Sequence, residues 1–155
     1  ASKSRGPEMI AVDTNVLVYA HREDSPWHLA AYSCLEKLAE GRSAWAIPWP
    51  CVHEFLAIVT HPRIYDPPTP LPAALEQVDA WLEAPGLVLL CETEGHWREL
   101  KTMLEAGQIT GGRVHDARVA ALCLQHGVRE LWSADRDFGR FPGFPVRNPL
   151  VEPAP

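Results

Sequence analysis

The chain has 155 residues, of which 46% are hydrophobic and 22% charged, and this composition fits one globular domain with a substantial core. The net charge of −6 argues against a general phosphate-binding surface of the kind that many nucleic-acid-binding proteins carry. No apolar run is long enough to span a bilayer and no secretory signal pattern is present, so we expect a cytoplasmic protein without a membrane contact.

The two ends of the chain look different from its middle. Residues 1–8 precede the first Met and have no hydrophobic pattern, so we expect an added tag or a disordered arm there. A single domain is expected over residues 9–150, followed by a flexible tail over 151–155. The four cysteines form no C-x-x-C pair and lie among apolar residues, which predicts reduced core cysteines rather than disulfides or a zinc site.

The predicted elements alternate between strands and helices. Apolar runs predict strands over residues 10–12, 44–47, 87–90 and 130–133. Helical spacing predicts helices from 16, over 26–40, from 50 to about 60, and over 73–83, 94–106 and 114–125. Residues 63–72 form a Pro-rich loop, 134–138 a turn, and the Pro-rich end after 142 a surface segment. This order predicts an α/β sandwich around a parallel sheet.

Some local details follow from the same patterns. Thr14 and Asn15 are suitable caps for the first helix. The strand over 87–90 is apolar throughout, so we expect it to be buried on both faces. We expect the side chains of Leu75, Leu82 and Trp97 to face the core. Most of the six tryptophans fall at core positions, with Trp45 and Trp49 as the exposed exceptions.

Four acids stand at positions where a metal site is expected. Asp13 and Asp135 follow predicted strands, Asp116 lies at a helix start, and Glu54 lies beside the apolar stripe of its helix. If the sheet is parallel, Asp13 and Asp135 lie at its carboxyl edge, where ligands bind in α/β sheets. Each acid alone also fits a helix cap, a turn or a solvated edge. Asp13 fits such a role least, because it interrupts a hydrophobic segment.

Carboxylates held close together repel one another unless a cation neutralises them or some are protonated. Ligands that are all oxygens suit Mg²⁺ or Mn²⁺ rather than zinc. Such an ion activates a water and neutralises a phosphate oxygen, which suits hydrolysis of a phosphodiester in nucleic acid. The hydroxyl of Ser133 either orients a carboxylate or a water in this site or is an ordinary strand-end group.

Four sequence segments carry these acids in order: V-D-T-N-V-L-V-Y-A, H-E-F-L, H-D-A-R-V-A-A-L and L-W-S-A-D-R-D-F. Together with the ending F-P-G-F-P-V-R-N-P-L, they resemble the motifs of the PIN-domain family, and within it the VapC-like toxins of bacterial toxin–antitoxin pairs. The resemblance extends from about Met9 to Leu150. One departure from the family pattern is His115, which we expect to be exposed.

The resemblance implies a metal-dependent endoribonuclease on a single three-layer sandwich with a central parallel sheet. It also implies a homodimer inhibited by a cognate VapB-like antitoxin. By carry-over, the residues that bind Mg²⁺ or Mn²⁺ and position the attacking water are Asp13, Glu54, Asp116 and Asp135. The residues predicted to contact the RNA substrate are Ser133, Asp137, Arg113 and Arg136. Three other arginines, Arg63, Arg118 and Arg140, are either further phosphate contacts or solvated surface groups.

Three alternatives stay open. A strand followed by Asp and Thr also opens the haloacid-dehalogenase-type phosphatases, but those need a second Asp where this chain has Asn15. A PIN-like module that binds without catalysis is disfavoured by the presence of all four acids. A PIN-domain nuclease of RNA processing, outside any toxin–antitoxin pair, has the same site residues.

Overall fold

The computed structural model describes residues 9–151, which form a five-stranded parallel sheet with six α-helices. The predicted arm at 1–8 and residues 152–155 of the predicted tail lie outside the described residues. The strands are β1 (Met9–Val12), β2 (Trp45–Pro48), β3 (Leu87–Leu90), β4 (Val128–Trp132) and β5 (Val146–Arg147). The helices are α1 (Thr14–His21), α2 (His28–Glu40), α3 (Trp49–Val59), α4 (Leu71–Leu82), α5 (His96–Gly107) and α6 (Val114–Gln125). Two short 3₁₀ helices span Gly111–Arg113 and Arg136–Arg140.

The strand order β3-β2-β1-β4-β5 places the helices on both faces of the sheet. The chain moves outward from β1 to β2 and then to β3, so right-handed crossovers put α1 to α4 on one face. It then returns past β1 to β4, which puts α5 and α6 on the other face. The expected three-layer sandwich with a central parallel sheet is confirmed. The order reverses between β1 and β4, and crevices of this kind bind ligands in open α/β sheets.

The central strands are buried because helices cover both of their faces. Ala11 and Val12 of β1 and Ala46 and Ile47 of β2 have no exposed surface. Such continuous apolar runs are typical of parallel strands covered on both sides. Pro50 fits the start of α3 because the first helical residues need no backbone N–H donor. The rigid centre of the sheet thus sets the position of whatever follows β1 and β4.

The β1–β4 register brings two distant parts of the chain together. Val12 pairs with Trp132, and the backbone N–H of Asp13 donates to the Trp132 carbonyl at 3.0 Å. Ser133 is bonded to the next strand in turn, its N–H donating to the Arg147 carbonyl at 2.9 Å. Asp13 and Ser133 are therefore neighbours at the carboxyl edge, although 120 residues separate them in the chain.

The start of α1 differs from its predicted capping. Thr14 and Asn15 lie in the first turn of the helix, and the N-cap is Asp13, whose side chain makes no capping hydrogen bond. The prediction of Thr14 and Asn15 as caps is wrong because these side chains have other surroundings. Asn15 bonds to the β4 end, and Thr14 is buried.

The edges of the sheet also differ from prediction. Strand β3 is an outer strand and Val88 is 40% exposed, so the prediction that this strand is buried on both faces is wrong. The Pro-rich end after 142 contributes a fifth strand, β5, which pairs in parallel with β4. Its two residues are too few to show a period of alternating side chains.

Several large side chains on the helices are not where periodicity places them. Leu75 and Leu82 on α4 and Trp97 on α5 are exposed by 46%, 43% and 66%. Trp45 is fully buried in β2, so its predicted exposure is wrong, while Trp49 is half-buried. These helices lie at the surface, and a pattern of apolar spacing does not tell how much of a helix the core covers.

The cysteines are free thiols, as predicted, but not all lie in the core. Cys51 and Cys123 are buried, Cys34 is half-buried and Cys91 is exposed. Within residues 9–151, no helix is both long and apolar enough to cross a membrane.

Candidate active site

The first acid of the candidate site is Asp13, at the end of the central strand β1. Its side chain is 7% exposed, and its carboxylate is enclosed by donors from three parts of the chain. The Ser133 hydroxyl donates to Oδ2 at 2.7 Å, and the Cys51 thiol approaches Oδ1 at 3.5 Å. Asn15 Nδ2 lies 3.5 Å from Oδ2. These contacts fix the orientation of the carboxylate.

Ser133 connects this acid to the next one. Besides donating to Asp13, its hydroxyl oxygen accepts the backbone N–H of Asp135 at 3.0 Å. Asn15 supports the same turn, because its Oδ1 accepts the N–H of Ala134 at 3.0 Å and its Nδ2 lies 3.3 Å from Ser133 Oγ. The turn after β4 is thereby tied to the first turn of α1.

Three acids form a tighter group beside this connection. Carboxylate oxygens of Asp116, Asp135 and Asp137 lie within 4.8 Å of one another. Asp116 is in the first turn of α6, and the other two belong to the 3₁₀ segment after β4. The Asp137 N–H donates to Asp135 Oδ1 at 2.8 Å, which caps that 3₁₀ helix. A cluster of oxygen donors at this spacing is suited to a divalent cation.

Glu54 completes the set from the opposite side. It lies exposed on α3 and lines one cleft of about 500 Å³ together with Asp13, Asp116 and Asp135. The four acids predicted from the sequence thus face one cavity at the carboxyl edge of the sheet. Asp137 is not among the residues that line it, although it belongs to the acidic group.

The electrostatics show an excess of negative charge in the cleft. Burial, followed by the charges of Asp135, Asp13, Asp137 and Glu54, raises the pKa of Asp116 from 3.8 to about 6. Burial also raises the pKa of Asp13, while the Ser133 hydroxyl opposes the shift. A cation in the cleft would therefore favour the ionised form of these carboxyl groups.

The arginines predicted to contact substrate lie outside the cleft lining. Arg113 Nη2 lies 3.4 Å from the Asp137 carbonyl, and Arg136 is exposed on the 3₁₀ helix. Arg140 is 3.8 Å from the Asp137 carboxylate. Arg118 on α6, by contrast, lines the cleft, as does His115, which is exposed as expected.

Sequence reasoning missed two supporting groups. The sequence predicts Asn15 as a helix cap, although its two amide atoms connect α1 to the β4 end. The sequence predicts Cys51 only as a core residue, yet its thiol contacts Asp13. Burial and the charge of Asp13 raise the pKa of the Cys51 thiol, so the thiol stays protonated and donates. The position of Asn15 two residues after Asp13 was a usable signal, whereas nothing in the sequence singles out Cys51.

The match to a known family agrees with this geometry. The family model described as PIN domain matches residues 10–143, and the chain belongs to the PIN-domain family. Among curated relatives, Ribonuclease VapC43 of Mycobacterium tuberculosis is 37% identical over 92% of this chain and 96% of its own length. Ribonuclease VapC48 of the same species is 31% identical over 89% of this chain and 95% of its own length. The similarity to VapC proteins thus covers nearly the whole domain.

Solved structures share the fold at lower sequence identity. VapBC2 from Rickettsia felis, bound to a DNA fragment from its promoter, has a TM-score of 0.64 at 20% identity, covering 90% of this chain and 97% of that one. VapC20 of Mycobacterium tuberculosis is described as a sarcin-ricin loop cleaving toxin. Its TM-score is 0.63 at 15% identity, and the match covers 87% of this chain and 95% of that one. FitAB bound to an IR36 DNA fragment has a TM-score of 0.65 at 20% identity, and the match covers 94% of this chain and 99% of that one.

Proposed function

We propose that this protein is a Mg²⁺- or Mn²⁺-dependent endoribonuclease and the toxin of a VapBC-like toxin–antitoxin pair. The observation that carries the proposal is the convergence of Asp13, Glu54, Asp116 and Asp135 on one cleft at the switch point of the sheet. The relatives named Ribonuclease VapC support the nuclease activity, and the structural neighbour VapC20, described as a sarcin-ricin loop cleaving toxin, supports the toxin role.

The donor set fits a divalent cation because it is made of carboxylate oxygens and carries uncompensated negative charge. Asp116 and Asp135 would hold the ion with Asp137 beside them, and Asp13 and Glu54 face the same space. When bound, the ion would neutralise a phosphate oxygen and lower the pKa of the attacking water.

The chain's own groups supply orientation and proton transfer. Ser133 and Asn15 hold Asp13 and the Asp135 turn in register, so these two acids are oriented before RNA enters. A carboxylate of the cleft positions the attacking water and takes its proton. The water oxygen would bond to phosphorus while the bond from phosphorus to one ribose oxygen breaks, and that oxygen would leave as a hydroxyl after taking a proton from solvent, which cuts the RNA strand internally.

The test is cleavage of a mixed RNA pool by purified protein with Mg²⁺ or Mn²⁺, beside the same reaction in chelator. We expect metal-dependent cutting that Asp116→Asn abolishes. Asp79→Asn on α4 is a matched control, because Asp79 is an exposed acid on another helix, and it should cut at the parental rate. No cutting by folded, inhibitor-free protein with either metal would favour the binding-module alternative.

The partners follow from the proposed role. We propose RNA as substrate, a VapB-like antitoxin as inhibitor, a homodimeric state and a cytoplasmic location. Structural neighbours described as VapBC and FitAB assemblies support an antitoxin partner. Expression in a bacterial host should arrest growth, and Asp116→Asn should relieve the arrest. Cleavage of RNA in the tube without growth arrest would favour an RNA-processing nuclease instead.

A further inference from the structure

Arg118 has an unusual position for a basic residue in this acidic protein. It lies on α6 two residues after Asp116 and lines the same cleft as the carboxylates. Within the cleft lining, as far as residues 9–151 show, Arg118 is the only arginine or lysine. Arg118 therefore supplies the permanent positive charge of the cleft lining.

The guanidinium is held by one carboxylate at the cleft rim. Arg118 Nε donates to Glu92 Oε2 at 2.6 Å, and the two side chains are 38% and 39% exposed. Glu92 follows β3 at the carboxyl edge of the sheet, so it approaches Arg118 from outside the acid cluster. Bonding from Arg118 lowers the pKa of Glu92, which keeps the pair ionised.

The hydrogen bond to Glu92 uses only one of the N–H donors of the guanidinium. Nε makes the contact with Glu92, and no hydrogen bond from Nη1 or Nη2 to another part of residues 9–151 is seen. These two terminal nitrogens carry four of the five guanidinium N–H donors, in a planar fork that matches a phosphate. An arginine anchored through Nε is thus preorganised to bind an anion through its end.

The surroundings of Arg118 suit a nucleic-acid strand better than a free anion. His115, Arg118 and Val119 lie on one face of α6, at positions i, i+3 and i+4. Opposite them, α3 contributes Ala57 and Ile58 to the cleft. A phosphate beside Arg118 would thus have an apolar wall near it, where the sugar and base of the same nucleotide would pack.

We propose that Arg118 binds a phosphate of the RNA strand adjacent to the one held over the carboxylates, and that Glu92 is a positioning residue which orients its guanidinium. The inference rests on the proposed nuclease function and adds a substrate contact to it. Arg118 interacts with the RNA backbone, so the contact gives affinity and strand placement rather than base specificity.

The direct test measures RNA binding without cleavage. In an Asp116→Asn background, a short fluorescent single-stranded RNA of mixed sequence is titrated at several salt concentrations. Arg118→Ala should raise the Kd by about tenfold and reduce the slope of log Kd against log salt by about 0.7, the value for one phosphate contact on a single strand. Arg98→Ala, an exposed arginine on α5 outside the cleft, should leave both values unchanged.

The role of Glu92 is tested by coupling and by rescue. Glu92→Ala should raise the Kd by about threefold when Arg118 is present and have no such effect in the Arg118→Ala background, because residues in one bonded pair are not additive. Glu92→Gln keeps an oxygen that accepts from Nε and should restore most of the affinity. In the active protein, Arg118→Ala should raise KM more than it lowers kcat.

The outcomes separate the inference from the proposed function. Metal-dependent cleavage with a Kd and salt slope unchanged by Arg118→Ala, in variants that keep the parental circular dichroism, overturns the Arg118 contact alone. A Glu92→Ala effect of equal size in both backgrounds overturns the positioning role. No cleavage and no RNA binding by the parental protein overturns the nuclease proposal and the inference together.

Discussion

Single side chains at the carboxyl edge do several things at once. The hydroxyl of Ser133 donates to Asp13 and accepts from the Asp135 backbone, so one oxygen supports two acids of the site. Its position at the end of β4 is fixed by the register with β1. Of the two roles that the sequence leaves open for this hydroxyl, the one observed is the orientation of a carboxylate, and it connects two distant motifs.

Replacing this hydroxyl should reduce both stability and activity. Ser133→Ala removes the shortest hydrogen bond to the Asp13 carboxylate and leaves the Asp135 N–H without its acceptor, and an unsatisfied buried group costs about 1–3 kcal/mol. Urea unfolding should show a loss in that range, and RNA cleavage should fall strongly. Ser133→Thr keeps the hydroxyl and should retain most of both properties. Equal losses in the two variants would show that packing, not the hydroxyl, is required.

Asp116 should lower the stability of the metal-free protein at neutral pH. Its pKa is raised from 3.8 to about 6 in the folded state, so ionising it is less favourable there than in the unfolded chain. Stability is therefore lost as the pH rises through about 6 and regained below the unfolded value. Asp116→Asn should raise Tm at pH 7.5 while abolishing cleavage.

The pH dependence of this difference provides the control. The Tm advantage of Asp116→Asn should shrink as the pH falls from 7.5 to 4, because the parental carboxyl then becomes neutral as well. Thermal denaturation of the parental protein and of Asp116→Asn, both in chelator, measures this difference in Tm. A Tm gap that stays constant over this pH range would contradict a charge-based cause.

At the scale of elements, an aromatic cluster holds the acid-bearing turn in place. Phe138, Phe141 and Phe144 are buried, with ring centroids 5.9 to 6.3 Å apart. Phe138 belongs to the 3₁₀ helix that also carries Asp137. The same cluster leads the chain from this helix into β5, so the turn is packed on both sides.

Removing the ring of Phe138 should therefore disturb the 3₁₀ helix that carries Asp137. Phe138→Ala should destabilise the fold by about 3–5 kcal/mol, the usual cost of deleting a buried aromatic side chain. Leu29→Ala on α2 is a suitable control, because Leu29 is 81% exposed and its loss should change the free energy of unfolding little. Urea denaturation compares the two. Similar losses from both variants would contradict the assigned role of the cluster.

Some features of the helices and strands can be predicted from the sequence and others cannot. The alternation of elements and the parallel sheet follow from the apolar runs, and the placement of Asp13 and Asp135 at one edge follows because each acid comes shortly after such a run. The exposure of Val88, Leu75 and Trp97 does not, since it depends on which strand lies at the edge and which helix faces solvent. Likewise, the pairing of Arg118 with Glu92 joins two surface segments that no local pattern relates.

For the whole molecule, the net charge of −6 and the acidic cleft lead us to expect that a divalent cation stabilises the fold when it binds. A ligand that binds only the folded state raises its stability, by about 2.7 kcal/mol at a hundred times its Kd. Mn²⁺ should therefore raise Tm in a concentration-dependent way, as followed by thermal denaturation. Asp135→Asn should reduce this shift strongly, and Asp79→Asn should not. Equal shifts in both variants would place the ion elsewhere.

The 120-residue separation between Asp13 and Ser133 bears on when the enzyme becomes active during synthesis. The first acid leaves the ribosome early, but its bonding partner and Asp135 come from the far end of the domain. A nascent chain that stops before β4 has neither the Ser133 hydroxyl nor the Asp135 carboxylate. If the protein is the RNA-cleaving toxin proposed above, prematurely terminated products that end before β4 should not cleave the RNA around them.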